Sequence, residues 1–148
     1  MKIAKNFGID TTININDFDP SSRIQQVLEY THNRGADVTI EATGVPSAVK
    51  EGIEITRDGG TYTIVGQYTN AGEVQLNPHF HINRKHLTIR GSWGSDFSHF
   101  YLAVKFIERY STIYPFQSII SKEYSLDEAA NALDDVEHLR VLKAIIKP

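Results

Sequence analysis

Apolar positions along this chain recur with two different periods, and each change of period marks an element. Val38, Thr39 and Ile40 form a short β-branched run with no turn residue inside it, which suits a buried parallel strand. Thr43-Gly44 breaks the run. Pro46 stands where a first helical residue tolerates a missing N–H, and Val45, Ala48, Val49 and Ile53 then recur at helical spacing. Asp58-Gly59-Gly60 is expected to stop that helix, and Thr61 to Val65 is a second β-branched run ending at Gly66. Strand, crossover helix and strand make one βαβ unit, right-handed by the general rule for parallel connections. Ligands of open parallel sheets bind beyond the carboxyl ends of the strands. Glu41-Ala42-Thr43-Gly44 and Gly66-Gln67 are therefore the first places to look for function.

Met1 to Phe7 is too short for an independent helix, yet Gly8 looks like its C-terminal stop, so it reads as the tail of a helix. Thr11–Ile15 is a strand candidate. Asp19-Pro20 opens a helix with an N-cap and a first-position proline, and Ile24, Val27 and Leu28 are its inward stripe, with an end near Asn33-Arg34-Gly35. Beyond Gly66, Asn70-Ala71-Gly72 is a turn, Val74-Gln75-Leu76 is extended, and Asn77-Pro78 opens an irregular or helical segment. Leu87–Arg90 alternates as an edge strand would. Ser95 or Asp96 caps a helix with the face Phe97, Phe100, Val104 and Ile107. Ile119-Ile120 is a short strand. Ser125-Leu-Asp-Glu128 is a capping box ahead of a helix with Ala129, Ala130 and Leu133 inward, and Val141–Ile146 is the last strand.

Composition narrows the classes. The 148 residues allow one domain with a core, or pieces of two. A net charge of −3 gives no electrostatic reason to expect nucleic acid or an anionic membrane. With no cysteine, disulfides and thiolate zinc sites are excluded within this chain. No run approaches membrane-spanning length and the N-terminus lacks a signal-like apolar core, so a cytoplasmic protein is the expectation.

Several segments together carry a family resemblance. Arg34-Gly35-Ala36-Asp37-Val38-Thr39-Ile40-Glu41-Ala42-Thr43-Gly44, Gly59 to Gly66, Leu76-Asn77-Pro78, Lys85 to Ser92, Tyr124 to Ala129 and Lys143-Ala-Ile-Ile146 fall in one order. So does Lys5-Asn-Phe-Gly8. That series resembles the zinc-containing medium-chain alcohol, sorbitol and threonine dehydrogenases, over essentially the whole chain. The resemblance implies an α/β fold. It would be a partial Rossmann-type parallel sheet with helices on both faces, lacking its first two strands, plus the C-terminal segment of a catalytic domain. Residues 1–93 would be the dinucleotide-binding part and 94–148 the catalytic-domain segment. In that family the zinc ligands, the Gly-rich phosphate turn and the acidic residue for the adenosine ribose precede the matched region. The sequence contains none of them, and Gly91-Ser-Trp-Gly94 does not join a strand to a helix.

The resemblance also assigns candidate residues. Ala42, Thr43 and Gly44 would lie beside the adenosine of NAD or NADP; otherwise Thr43-Gly44 is only a turn. Val65, Gly66 and Gln67 would approach the nicotinamide, with Gly66 permitting close backbone contact. Ser92, Trp93 and Gly94 match the segment whose backbone holds the carboxamide, although a lone tryptophan usually fills space. Lys143 matches a basic position at the pyrophosphate, or is simply solvated. Glu41, at a strand end, is either an acceptor for a ribose hydroxyl or an ordinary solvated charge, and reads as the latter. His79 and His81 would share one side of a strand, without further ligands at a metal-binding spacing. Asp96 and His99 read as a cap with a surface histidine. The Arg84-Lys85-His86 and Arg90 cluster does not outweigh the net charge for nucleic acid. No catalytic residue or zinc ligand is assigned. The expected activity is that of the C-terminal part of a zinc-dependent alcohol or polyol dehydrogenase, inactive alone. Alternatives are a non-catalytic oligomerisation module, through edge strand Leu87–Arg90 or against an N-terminal half, and a nucleotide-binding sensor.

Overall fold

A computed structural model describes residues 2–148, and Met1, read above with the first helical segment, lies outside them. In chain order the elements are α1 (Lys2–Asn6), α2 (Pro20–Tyr30), β1 (Ala36–Glu41), α3 (Pro46–Ile55), β2 (Thr56–Ile64), β3 (Thr88–Gly91), α4 (Phe97–Tyr110), β4 (Lys122–Ser125), α5 (Ala129–Glu137) and β5 (Ala144–Lys147). Two compact units contain them. One is Ile13–Gly94; the other joins the residues before Ile13 to Ser95–Pro148.

The first unit is built on a three-stranded parallel sheet in the order β1-β2-β3. Val38 pairs with Thr61, Thr39 with Tyr62, Ile40 with Thr63 and Glu41 with Ile64, the side-by-side arrangement that the βαβ reading requires. Below Val38 the register shifts. Ala36 faces Thr56, so β2 uses three residues more than β1 to reach the next pair. This excursion holds Gly59 and Gly60, which were expected to end the helix. The helix ends earlier, at Ile55, because Thr56 turns extended while its Oγ1 donates to Gly52 O at 2.6 Å. The Lys85 ammonium adds bonds to Ile53 O at 2.7 Å and Glu54 O at 3.1 Å, satisfying carbonyls at the negative end of α3.

Val49, Ile53 and Tyr62 form the core, with Ile64, Val74, Leu76 and Leu87 packed around them. The fully buried strand expected at 38–40 is not found. Val38 and Ile40 are 61% and 64% exposed, because the α3 side of β1 takes Thr39 and Glu41 instead. Asp19 caps α2 by accepting from Ser22 N, and α2 is tied to α3 by the two-pronged Arg23–Glu51 pair at 2.6–2.7 Å. Ile24, Val27 and Leu28 are only half-buried. The strand expected at Thr11–Ile15 is absent. Asn14 accepts from Asp17 N through its carbonyl and from Asn16 N through its side chain, which bends the chain into a turn.

In the second unit, β4 and β5 form a parallel pair. The strands lie later than the sequence suggests: Phe116–Ile119 is a 3-10 turn instead of a strand at Ile119-Ile120, and the last strand begins at Ala144. The Ser125–Glu128 capping box forms, with Ser125 N donating at 2.9 Å. Ala132 is the buried residue of α5, and Leu133 is exposed. Tyr124, also buried, donates to Asp135 Oδ2 at 2.6 Å. That bond, with those from Arg140 and Lys122, holds the Asp135 carboxyl far below the usual range. Asp96 caps α4 as expected, but the supposed inward face of Phe97, Phe100, Val104 and Ile107 is exposed. Aromatic packing in this unit runs instead through Phe7, Phe106, Tyr110, Tyr114 and Phe116.

Candidate functional site

The carboxyl ends of β1, β2 and β3 lie together, as a parallel sheet demands, and hand the chain to three loops. Glu41, read above as a solvated charge, is the residue that organises the first two. It is 4% exposed. Its Oε1 accepts from Thr43 N at 2.7 Å, Thr43 Oγ1 at 2.7 Å and Gly44 N at 2.8 Å, and its Oε2 accepts from Gly66 N at 3.2 Å. Its backbone oxygen takes Val65 N at 2.9 Å and Gly66 N at 3.0 Å. Burial alone raises the carboxyl. The bonds from Thr43 and Gly44, with the nearby Gln67 amide, outweigh it and leave the group below its ordinary value.

Glycine is required at the centre of this knot. A Cβ on Gly66 would lie 2.5 Å from Gly44 N, 2.6 Å from Thr43 N and 2.7 Å from Ala42 C, all backbone. Gly44 itself has φ +72°. The structure thus brings Ala42, Thr43, Gly44, Val65 and Gly66 together. The Gln67 side chain is folded inward, its Nε2 buried without a hydrogen-bond partner among the described residues. Ser92 joins the group by donating its N–H to Ile64 O at 3.0 Å, and Trp93 stacks on Tyr68. Lys143 belongs to the other unit, where its carbonyl accepts from Ser121 N at 2.9 Å.

The chemistry of this edge is that of a preorganised but anion-filled loop. The N–H groups of Thr43, Gly44 and Gly66 go to the Glu41 carboxylate, and that of Val45 goes to Thr43 Oγ1 at 3.1 Å. A phosphate finds no open backbone donor at Thr43, Gly44, Val45 or Gly66, whereas an uncharged ring or ribose meets no such conflict. Beside the knot is a cavity of about 410 Å³ lined by Ile15, Arg23, Ile40, Thr43, Ala48 and Tyr62. Tyr62 is fully buried with its hydroxyl unpartnered, and its phenol is pushed up to about 12 by burial and by the Glu41 charge. A cavity of about 530 Å³ near the opposite strand ends contains Arg34, Arg57 and Lys85. Its cations are engaged, Arg57 with Asp37 and Lys85 with the end of α3.

His79 and His81 occupy a π-helical turn at His79–Asn83, not a strand. His81 Nδ1 accepts from Asn77 N at 2.8 Å and is a local cap. Among the described residues no cluster of three or more His, Cys, Asp or Glu is placed to hold a metal. The donors present among the described residues do not fit a catalytic zinc.

A three-stranded parallel array whose carboxyl ends meet beside a helix crossover defines part of an open α/β sheet. The family model described as zinc-binding dehydrogenase matches residues 1–109, and the chain belongs to that family. Among curated relatives it is 30% identical over 99% of its length to 5-exo-hydroxycamphor dehydrogenase of Pseudomonas putida, and 32% identical over its full length to D-arabinitol dehydrogenase 1 of Uromyces fabae. A solved alcohol dehydrogenase from Thermotoga maritima superposes with a TM-score of 0.90 at 33% identity over 99% of the chain. Benzyl alcohol dehydrogenase from Acinetobacter calcoaceticus gives 0.82 at 25% identity over the same share. The chain spans only about 40% of the length of each of these proteins.

Two residues of this edge have roles that the sequence reading did not assign. Glu41 carried a local signal, since a carboxylate two residues before a Thr-Gly turn can fold back on the turn's N–H groups. Tyr68 carried none, because its partner lies 25 residues away in sequence.

Proposed function

We propose that residues 13–94 form the part of a dinucleotide site that flanks the adenosine and the nicotinamide of NAD or NADP, within a zinc-type alcohol or polyol dehydrogenase. The observation that carries this reading is the Glu41 knot. It draws the ends of β1 and β2 into one rigid lip at the position where open parallel sheets take ligands. Ala42, Thr43 and Gly44 would border the adenosine, and Val65, Gly66 and Gln67 the nicotinamide. Ser92, Trp93 and Gly94 would offer backbone groups to its carboxamide. Lys143 is assigned to the pyrophosphate by family position alone. When bound, the cofactor supplies a hydride acceptor or donor for an alcohol or carbonyl substrate. The N–H groups of this lip are occupied, so phosphate binding would have to come from elsewhere. The similarity to hydroxycamphor, arabinitol and benzyl alcohol dehydrogenases supports the reading.

This chain alone supplies neither zinc ligands nor a phosphate turn, so the 148 residues by themselves are expected to bind cofactor weakly and to turn over no alcohol. NADH titration, followed through the emission of the single tryptophan, tests the binding half. NADH formation from any alcohol by the purified chain would overturn the inactive half.

A second reading rests on β3. It lies at the sheet edge and is exposed at every position, so its outer rim is open to pairing with a second copy. Sedimentation showing only monomer at high concentration would remove it.

A further inference from the structure

The third loop of the crevice is fastened by different chemistry from the first two. Glu41 joins 43–44 to Gly66 through charge-assisted hydrogen bonds, but among the described residues no side-chain hydrogen bond crosses from 65–68 to 92–94. Regular backbone contact ends with Ser92 N donating to Ile64 O. What crosses is a pair of rings. Tyr68 and Trp93 stack with centroids 4.6 Å apart and planes within 10°, inside the offset-stacked range. Tyr68 is itself anchored, because its N–H donates to Gly66 O at 2.7 Å in a tight turn. Both rings are more than half exposed, so no core forces them together.

We infer that the Tyr68–Trp93 stack is a positioning clamp that sets the spacing between the Gly66 loop and the 92–94 loop. With it, one line of contacts runs from Glu41 through Gly66 and Tyr68 to Trp93, spanning all three strand ends. A ring–ring clamp uses no backbone donor or acceptor. Among the described residues the N–H groups of Trp93 and Gly94 carry no hydrogen bond, and they stay open to a ligand's amide. The importance of the spacing rests on the nicotinamide reading above; the clamp itself does not.

Amide hydrogen exchange on the full chain tests the clamp without cofactor. In Tyr68→Leu and in Trp93→Leu, exchange should quicken in both loops, by roughly threefold to tenfold. The double variant should go no further than either single one, and Trp93→Phe should keep the protection. Circular dichroism confirms that each variant is folded. Changes confined to the substituted loop, or effects that add in the double variant, overturn the clamp. A parallel NADH titration separates the two ideas. Wild type that fails to bind removes the nicotinamide reading, and the clamp is then judged by exchange alone. Wild type that binds, with Tyr68→Leu binding equally well, overturns the positioning role.

Discussion

Glu41 holds Gly66 twice. The Gly66 amide nitrogen lies 3.0 Å from the backbone oxygen of Glu41 and 3.2 Å from its Oε2, while Oε1 reaches back to Thr43 and Gly44. One residue at the end of β1 therefore fixes its own loop and the neighbouring strand's exit.

Glu41→Gln keeps the shape but replaces one acceptor oxygen with a donor facing N–H groups. It should cost about 1–3 kcal/mol, read as a lower urea midpoint. The pH dependence has a definite sign. The folded carboxyl lies below the ordinary value of 4.5, so its stabilisation is complete above that pH and is lost as pH falls through the folded value. Wild type should lose stability across that acid range more steeply than Glu41→Gln.

Gly66→Ala should be far more damaging than Gly91→Ala. The first places a Cβ within 2.7 Å of three backbone atoms that cannot move independently, and the second meets nothing within 4 Å. Losses of about 2–4 kcal/mol and within about 0.5 kcal/mol respectively are expected from thermal or urea unfolding.

Tyr62→Phe removes a buried hydroxyl that has no partner among the described residues. Stability should be unchanged or rise by up to about 1 kcal/mol. Because the folded phenol is pushed up to about 12 from 10.0, its neutral form stabilises the fold fully below pH 10 and loses that contribution as pH rises towards 12. The alkaline loss of stability should be smaller in Tyr62→Phe.

Asp96→Ala removes the side chain that accepts from Ser98 N and His99 N at the start of α4. The first turn should fray, lowering helical circular dichroism, and Asp96→Asn should retain most of the signal because asparagine also caps.

Legibility followed the range of the interactions. Asp19-Pro20, Asp96 and the Ser125–Glu128 box act within four residues, so the sequence displays their whole mechanism. The parallel pairing of 38–41 with 61–64 was also readable, since both runs are β-branched and a helix-length stripe lies between them. What failed depended on distant partners. Thr11–Ile15 has strand composition, but Asn14 captures its own neighbours. Val38 and Ile40 look like core, yet the polar Thr39 and Glu41 take the α3 side because Thr56 and the loop N–H groups wait there. Of the candidate residues, 42–44, 65–67 and 92–93 are drawn into one neighbourhood by the Glu41 bonds, the Ser92 bond and the Tyr68 stack, which connect segments some 25 residues apart.

The surplus of three residues in β2 between Thr56 and Thr61 has a geometric corollary. Side chains of a strand change sides at every step, so the length of this detour decides the parity of everything downstream. Shortened or lengthened by one residue, it would carry Tyr62 to the solvent side and bring Thr63 inward. This detour, with Gly59 and Gly60 inside it, is thus the counter by which the chain places the Tyr62 ring at its centre.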